Sequence, residues 1–213
     1  MSATQTPSPA TSDAEGALTA GEPARVLLVT GLLGLAAAFA LTVEKIALLR
    51  DPAYLPICNV NALLSCTSVM TSPQAEAFGF PNPLLGLVGF SVLTATGAAL
   101  LAGAKLRAWF WTGLQIGLTA AFVFMHWLII QSVFDIGALC PYCLLVWAAT
   151  APAFWYTTLR NLRALARSRS HPSLERAVRV LSEVHAVPLT IWYLTVLVII
   201  AITFWDEALS LTR

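Results

Sequence analysis

Apolar residues in this chain gather into long continuous runs instead of alternating with polar ones. Five such runs approach or exceed the roughly 20 residues that a helix needs to cross hydrocarbon. They cover 26–43, 79–104, 108–134, 136–159 and 184–205. The first extends through Lys45 towards Leu49, and the helix of the second is expected to open near Pro83. Only Asp135 and Gly137 interrupt the third and fourth, so these two are predicted to be antiparallel neighbours. Separate apolar runs of this length are satisfied in lipid only as helices, because each backbone N–H must find a partner within its own segment. The pattern therefore predicts an all-α polytopic membrane protein, a bundle of four transmembrane helices plus a fifth.

Composition agrees with the pattern. The chain has 213 residues, 58% of them hydrophobic and 11% charged, with a mean hydropathy of +0.76. A soluble domain carries about a quarter charged residues. The net charge of +1 and the lack of a basic stripe exclude a nucleic-acid binder. Residues 1–24 are rich in Ala, Ser, Thr and Pro without the basic n-region of a secretory signal, and read as a disordered cytoplasmic tail.

The bases indicate sidedness. Arg25, Lys105, Arg107 and the Arg-rich segment 161–183 fall on one side, opposite Lys45, Arg50 and Arg213. The positive-inside rule places the N-terminus in the cytoplasm, and the outer loop 50–82, the turn after Asp135 and the C-terminus outside. The units expected are thus 1–24, a bundle over 25–160, the basic segment 161–183, and 184–213 as the fifth span with a short outer end.

That topology sends every cysteine to the outer, oxidising face, the cytoplasmic membrane being the expected location. Cys58 and Cys66 form C-x7-C in the loop "LPICNVNALLSCTSVM", and Cys140 and Cys143 form C-x-x-C in "FDIGALCPYCLLVWAAT". Cys140 is expected at a helix N-cap with Pro141 at the first helical position, where free N–H groups favour a thiolate. Cys143, one turn deeper, would point into the bundle, so the pair reads as one wet and one dry sulfur. The loop pair reads as mobile and water-accessible. Together the two dithiols suggest a relay. Two structural disulfides remain a rival reading. A four-thiolate zinc site fits less well, since one pair enters an apolar helix end where a charged complex is poorly solvated.

C-x7-C ending in Ser-Cys, Val69 and Ser72 after it, then "FGFPNPLLG" and a helix opening on "CPYC", resemble the vitamin K epoxide reductase family, and its bacterial branch in particular. The resemblance runs from the first run to the end of the fourth. It implies a four-helix bundle around a quinone (menaquinone or ubiquinone) and a thiol:quinone oxidoreductase supporting disulfide formation. It also implies that Cys143 is the quinone-facing thiol and Cys140 its partner, with Cys66 shuttling to Cys140 and Cys58 exchanging with the outside substrate. Ser72 matches a serine beside the active site, and Asn82 an asparagine that donates to a quinone carbonyl. Asn82 before Pro83 also reads as a plain helix cap. Trp147 stands where some relatives contact quinone with an aromatic. Many bacterial relatives continue into a thioredoxin-like domain; ending at Arg213 implies a separate thioredoxin-fold (DsbA-like) partner. The family also suggests a runner-up, an epoxide or quinone reductase driven by a partner dithiol. His126 reads chiefly as a helix–helix contact, with proton transfer as its alternative. The seven tryptophans read mainly as an interface belt.

Overall fold

The computed structural model describes residues 9–61, 63–169 and 172–205. Their order is α1 (Pro9–Arg50), α2 (Cys66–Met70), a 3-10 turn (Pro73–Glu76), α3 (Pro83–Leu101), α4 (Ala108–Ile130) and a π-helical extension of α4 (Gln131–Ile136). Next come α5 (Pro141–Arg169), α6 (Pro172–Glu183) and α7 (Ala186–Thr203). Residues 9–24, expected as a disordered tail, instead continue the first helix. Frequent alanine (Ala10, Ala14, Ala17, Ala20) supplies helix propensity there despite the neighbouring Ser, Thr and Pro. Residues 1–8 and 206–213, the ends of the expected tail and outer C-terminus, lie outside the described residues.

Helices α1, α3, α4 and α5 form the bundle. α1 packs on α3 and α5, and α5 on α4, whereas α3 and α4 scarcely meet. The α1–α3 contact is close because small residues face each other. A Cβ added to Gly97 would sit 2.4 Å from the Leu28 nitrogen, and one added to Gly31 would sit 2.6 Å from that of Thr94. In lipid, where greasy surface gains nothing by hiding from its surroundings, such backbone approach is a main source of helix association.

Four helices are long and apolar enough by themselves to cross a membrane: Gly21–Arg50, Pro83–Leu101, Ala108–Ile136 and Ala186–Thr203. The fourth run, expected to match them, is more polar. α5 carries Tyr142, Thr150, Thr157 and Thr158, and turns much of this towards protein, with Thr150 and Thr157 buried beside Ala149, Ala151 and Ala153. The Thr150 and Thr158 hydroxyls donate to the carbonyls of Val146 and Phe154 in the preceding turn. α5 is thus the inner helix, accommodated by its neighbours and not by its own hydropathy. It runs antiparallel to α4, with Gln115 donating to Thr158 and Asn161 to the Trp111 carbonyl. The reversal between them is made at Gly137, whose φ of 68° is left-handed.

α7 lies outside the bundle. Trp192 Nε1 donates to His126 Nε2 on α4, and the Tyr193 hydroxyl to the Ala148 carbonyl on α5. His126 Nδ1 is engaged with the Phe122 carbonyl, so both ring nitrogens serve helix contacts. The tryptophans divide: Trp109 and Trp205 are exposed as a belt requires, but Trp111 and Trp147 are buried. Trp111 is covered by the Arg160 guanidinium, 3.8 Å above its ring. The basic segment is helical too, folding into the last turns of α5 and into α6, where Arg163 Nε donates to Ser182.

Candidate functional site: four cysteines above a lateral cavity

Both cysteine pairs lie at the same end of the bundle, and a short backbone splice brings them together. Leu64 and Leu139 form an isolated parallel β-bridge. The Leu139 N–H donates to the Leu63 carbonyl at 2.8 Å, and the Ser65 N–H to the Leu139 carbonyl at 3.0 Å. The next residue on one side is Cys66 and on the other Cys140. Their sulfurs stand 3.1 Å apart.

Local sequence places the remaining sulfurs. Ser65 caps α2, its side chain accepting from the Ser68 N–H, so Cys66 begins that helix. Asn59 holds Cys58 against it: Asn59 Nδ2 donates to Thr67 Oγ1 and Asn59 Oδ1 accepts from the Thr67 N–H. Cys58 and Cys66 are joined as a disulfide, with Cα atoms 5.7 Å apart. Cys140 immediately precedes Pro141, the first residue of α5, and so stands at the open N-terminal end of that helix. Cys140 and Cys143 are free thiols one helical turn apart at the start of α5.

Two sequence expectations are overturned here. The loop pair is not exposed: Cys58 is 6% and Cys66 0% accessible. The Asn59 clamp and the Leu64–Leu139 splice tie the loop down, and neither is visible from residue spacing. The expected wet Cys140 is covered too, whereas Cys143 faces a mostly apolar cavity, as expected of the dry sulfur. Cys140 is 1% exposed, sealed under α2, while Cys143 is half-buried and opens on a cavity.

That cavity, about 750 Å³, runs between α3 and α4 from the cysteine end towards Trp109 and Phe110. Its size is that of a small-molecule site. Its walls are mostly apolar; Lys45, Ser72, Gln74, Asn82 and Ser132 supply polar groups at its cysteine end. Gly89, Gly113 and Gly117 would each carry a Cβ into open space.

The other sequence candidates line this cavity as well. Ser72 and Trp147 do so, with Trp147 buried and the Ser72 hydroxyl donating to the Val69 carbonyl. Asn82 occupies the residue before α3 but does not cap it. Its Nδ2 donates to the Gln74 carbonyl and its Oδ1 accepts from the Ala77 N–H, so it fastens the 3-10 turn instead. An amide nitrogen has two donors, and one is left for the cavity.

Sequence reasoning missed three residues. Lys45, counted only as an outer-side base, is buried; its Nζ donates to the Met70 carbonyl at 2.7 Å and pairs with Glu76 Oε1 at 2.9 Å. Gln74 donates to Gln131 and Asp135, and its buried Oε1 at the cavity wall lacks a partner. Glu44 is buried beside the cysteines. A charged residue inside an apolar run was the available signal for Glu44 and Lys45. Nothing in the sequence marked Gln74.

Residues 25–158 match the sequence model of the vitamin K epoxide reductase family. No curated protein matches the chain.

Proposed function

Since the chain belongs to the vitamin K epoxide reductase family and is a membrane redox enzyme with a cysteine relay, we propose that it oxidises an extracytoplasmic thioredoxin-fold (DsbA-like) dithiol and delivers the electrons to a membrane quinone. The observation that carries this reading is the 3.1 Å approach of Cys66 to Cys140 at the mouth of a cavity that Cys143 lines.

Each step is thiolate attack on a disulfide. A partner thiolate attacks Cys58, breaking the Cys58–Cys66 bond, and the partner's second thiol resolves the mixed disulfide and leaves oxidised. Cys66 then attacks Cys140 of an oxidised Cys140–Cys143 pair, releasing Cys143 as a thiolate. Cys58 attacks Cys66 in turn and releases Cys140. The resulting dithiol gives two electrons and two protons to quinone, forming quinol and restoring the Cys140–Cys143 bond. In this scheme, a joined loop pair beside two free helix thiols is the arrangement that follows internal transfer.

The protein's residues supply position. Asn82 offers its free amide hydrogen to a quinone oxygen, Gln74 Oε1 accepts from a quinol hydroxyl, and Ser72 and Trp147 wall the ring beside Cys143. Because the loop pair is covered, access to Cys58 requires its segment to lift, and the exposed Leu55, Ile57 and Val60 around it give a partner an apolar handhold.

Cys58→Ala tests the scheme. With Cys58 absent, Cys66 can attack Cys140 but nothing resolves the product, so a Cys66–Cys140 disulfide should accumulate and be found by peptide mass spectrometry. Cys143→Ala should abolish reduction of a naphthoquinone by a dithiol while the loop pair still exchanges. Two inert disulfides, with no mixed species in Cys58→Ala, would refute the proposal in favour of a purely structural role. Turnover of an epoxide at the expense of quinone would shift the second substrate.

A further inference from the structure

Among the described residues lining the apolar cavity, one carries a formal charge, and that charge is positive. It is Lys45, one turn beyond Leu41 on α1, and both residues line the cavity. Lys45 is 7% exposed. Its ammonium has three donors. One goes to the Met70 carbonyl at 2.7 Å and one to Glu76 Oε1 at 2.9 Å; among the described residues these are the two acceptors it meets. The ion pair is lopsided, because the Glu76 side chain is 41% exposed and that of Lys45 9%. Water screens the carboxylate more than the ammonium. The end of the cavity in question is the redox end. Met70, whose carbonyl Lys45 holds, lines the cavity and packs with Cys66 and Cys140, and Cys143 lies against that cluster. A cation buried at this end of a membrane helix is costly, and loop anchoring alone leaves one donor unused.

We propose that Lys45 makes the cysteine end of the cavity a site for negative charge: it takes ionised hydroxyquinones, and it steadies the quinone oxygen that turns negative during reduction. In that reduction the Cys140 and Cys143 thiols join as a disulfide, two electrons pass to the ring, and the two thiol protons end on its oxygens. Lys45 keeps its own proton throughout and attracts the oxygen for as long as electrons outnumber protons there. A fixed charge aimed at developing charge acts strongly where water is sparse. The turnover role rests on the quinone reading above; the preference for an anion shows in binding without turnover.

The probes are 2-hydroxy-1,4-naphthoquinone, an anion at neutral pH, and its neutral 2-methoxy analogue. Binding of each to full-length protein in detergent is read from quenching of tryptophan fluorescence. The ratio of the two Kd values is compared between variants, which cancels their different partitioning into micelles. Lys45→Met keeps the stem and loses the charge, and should shift the ratio against the anion by about 10- to 100-fold, the worth of a hydrogen bond to a charged group. Lys45→Arg, keeping the charge, should retain most of the preference. Glu76→Gln separates this role from loop anchoring. It should slow exchange between the cysteine pairs, followed by quenching dithiothreitol-treated protein with a maleimide reagent. It should nonetheless keep or strengthen the anion preference, because the ammonium loses its counter-charge. An unchanged ratio in Lys45→Met, or loss of the preference in Glu76→Gln, overturns the proposal and leaves Lys45 an anchor only. Should Lys45→Met not fold, Glu76→Gln decides by the same criterion. If neither probe binds the wild type, the quinone reading of the cavity falls, and this role with it.

Discussion

Lys45 shows how far a single side chain sets the height of the redox loop. Its ammonium reaches from α1 to the Met70 carbonyl at the end of α2 and to Glu76 in the 3-10 turn. Removing it leaves a buried carbonyl without a donor, a loss of about 1–3 kcal/mol. Lys45→Ala should therefore lower the thermal midpoint and slow transfer between the pairs, both readable in the maleimide assay. Tyr54 supplies a pH signature. Its phenol, hydrogen-bonded to Glu44, is held above its ordinary 10.0. A group whose folded pKa is raised stabilises the fold below its unfolded value, and that contribution disappears as pH climbs through the folded value. The tie to α1 should thus be intact at neutral pH and released only above pH 10. Ultraviolet titration should show a late-ionising phenol that Tyr54→Phe lacks. At this scale the sequence spoke clearly through its cysteines, whose spacing is a local fact. It was silent on their burial, because the Asn59–Thr67 clamp and the Leu64–Leu139 bridge join residues whose pairing no spacing rule foretells.

Among the elements, the α1–α3 seam and the α4–α7 seam are held differently. Gly31 and Gly97 let two backbones touch, so a side chain there must force them apart. Gly97→Leu should cost about 1–3 kcal/mol as overpacking, seen as a lower thermal midpoint in detergent. α7 is instead tied by polar contacts, and intramembrane hydrogen bonds average about 0.6 kcal/mol. His126→Leu should loosen α7 towards proteolysis yet leave quinone reduction intact; lost turnover would restore His126 as a proton acceptor. Apolar runs disclosed the helices and the Gly137 reversal well. They also disclosed α5, but not that its polar residues face protein, because hydropathy sees composition and not the neighbour each side chain meets.

For the whole molecule, the decisive asymmetry is that α1, α3, α4 and α5 close on three sides, leaving α3 and α4 apart with the cavity between them. Gly113 and Gly117 keep that gap wide. Gly117→Phe should raise KM about tenfold for a long-tailed quinone, the worth of roughly two displaced methylenes, and leave a tail-less quinone nearly unaffected. Steady-state kinetics with the two substrates checks this. The gap also decides which concentration the enzyme senses. A molecule that arrives sideways from the acyl chains is measured by its mole fraction in the bilayer, so diluting the surface with inert lipid should depress the rate at constant bulk content. Inhibitors of this cavity should then rank by partitioning into membranes as much as by fit.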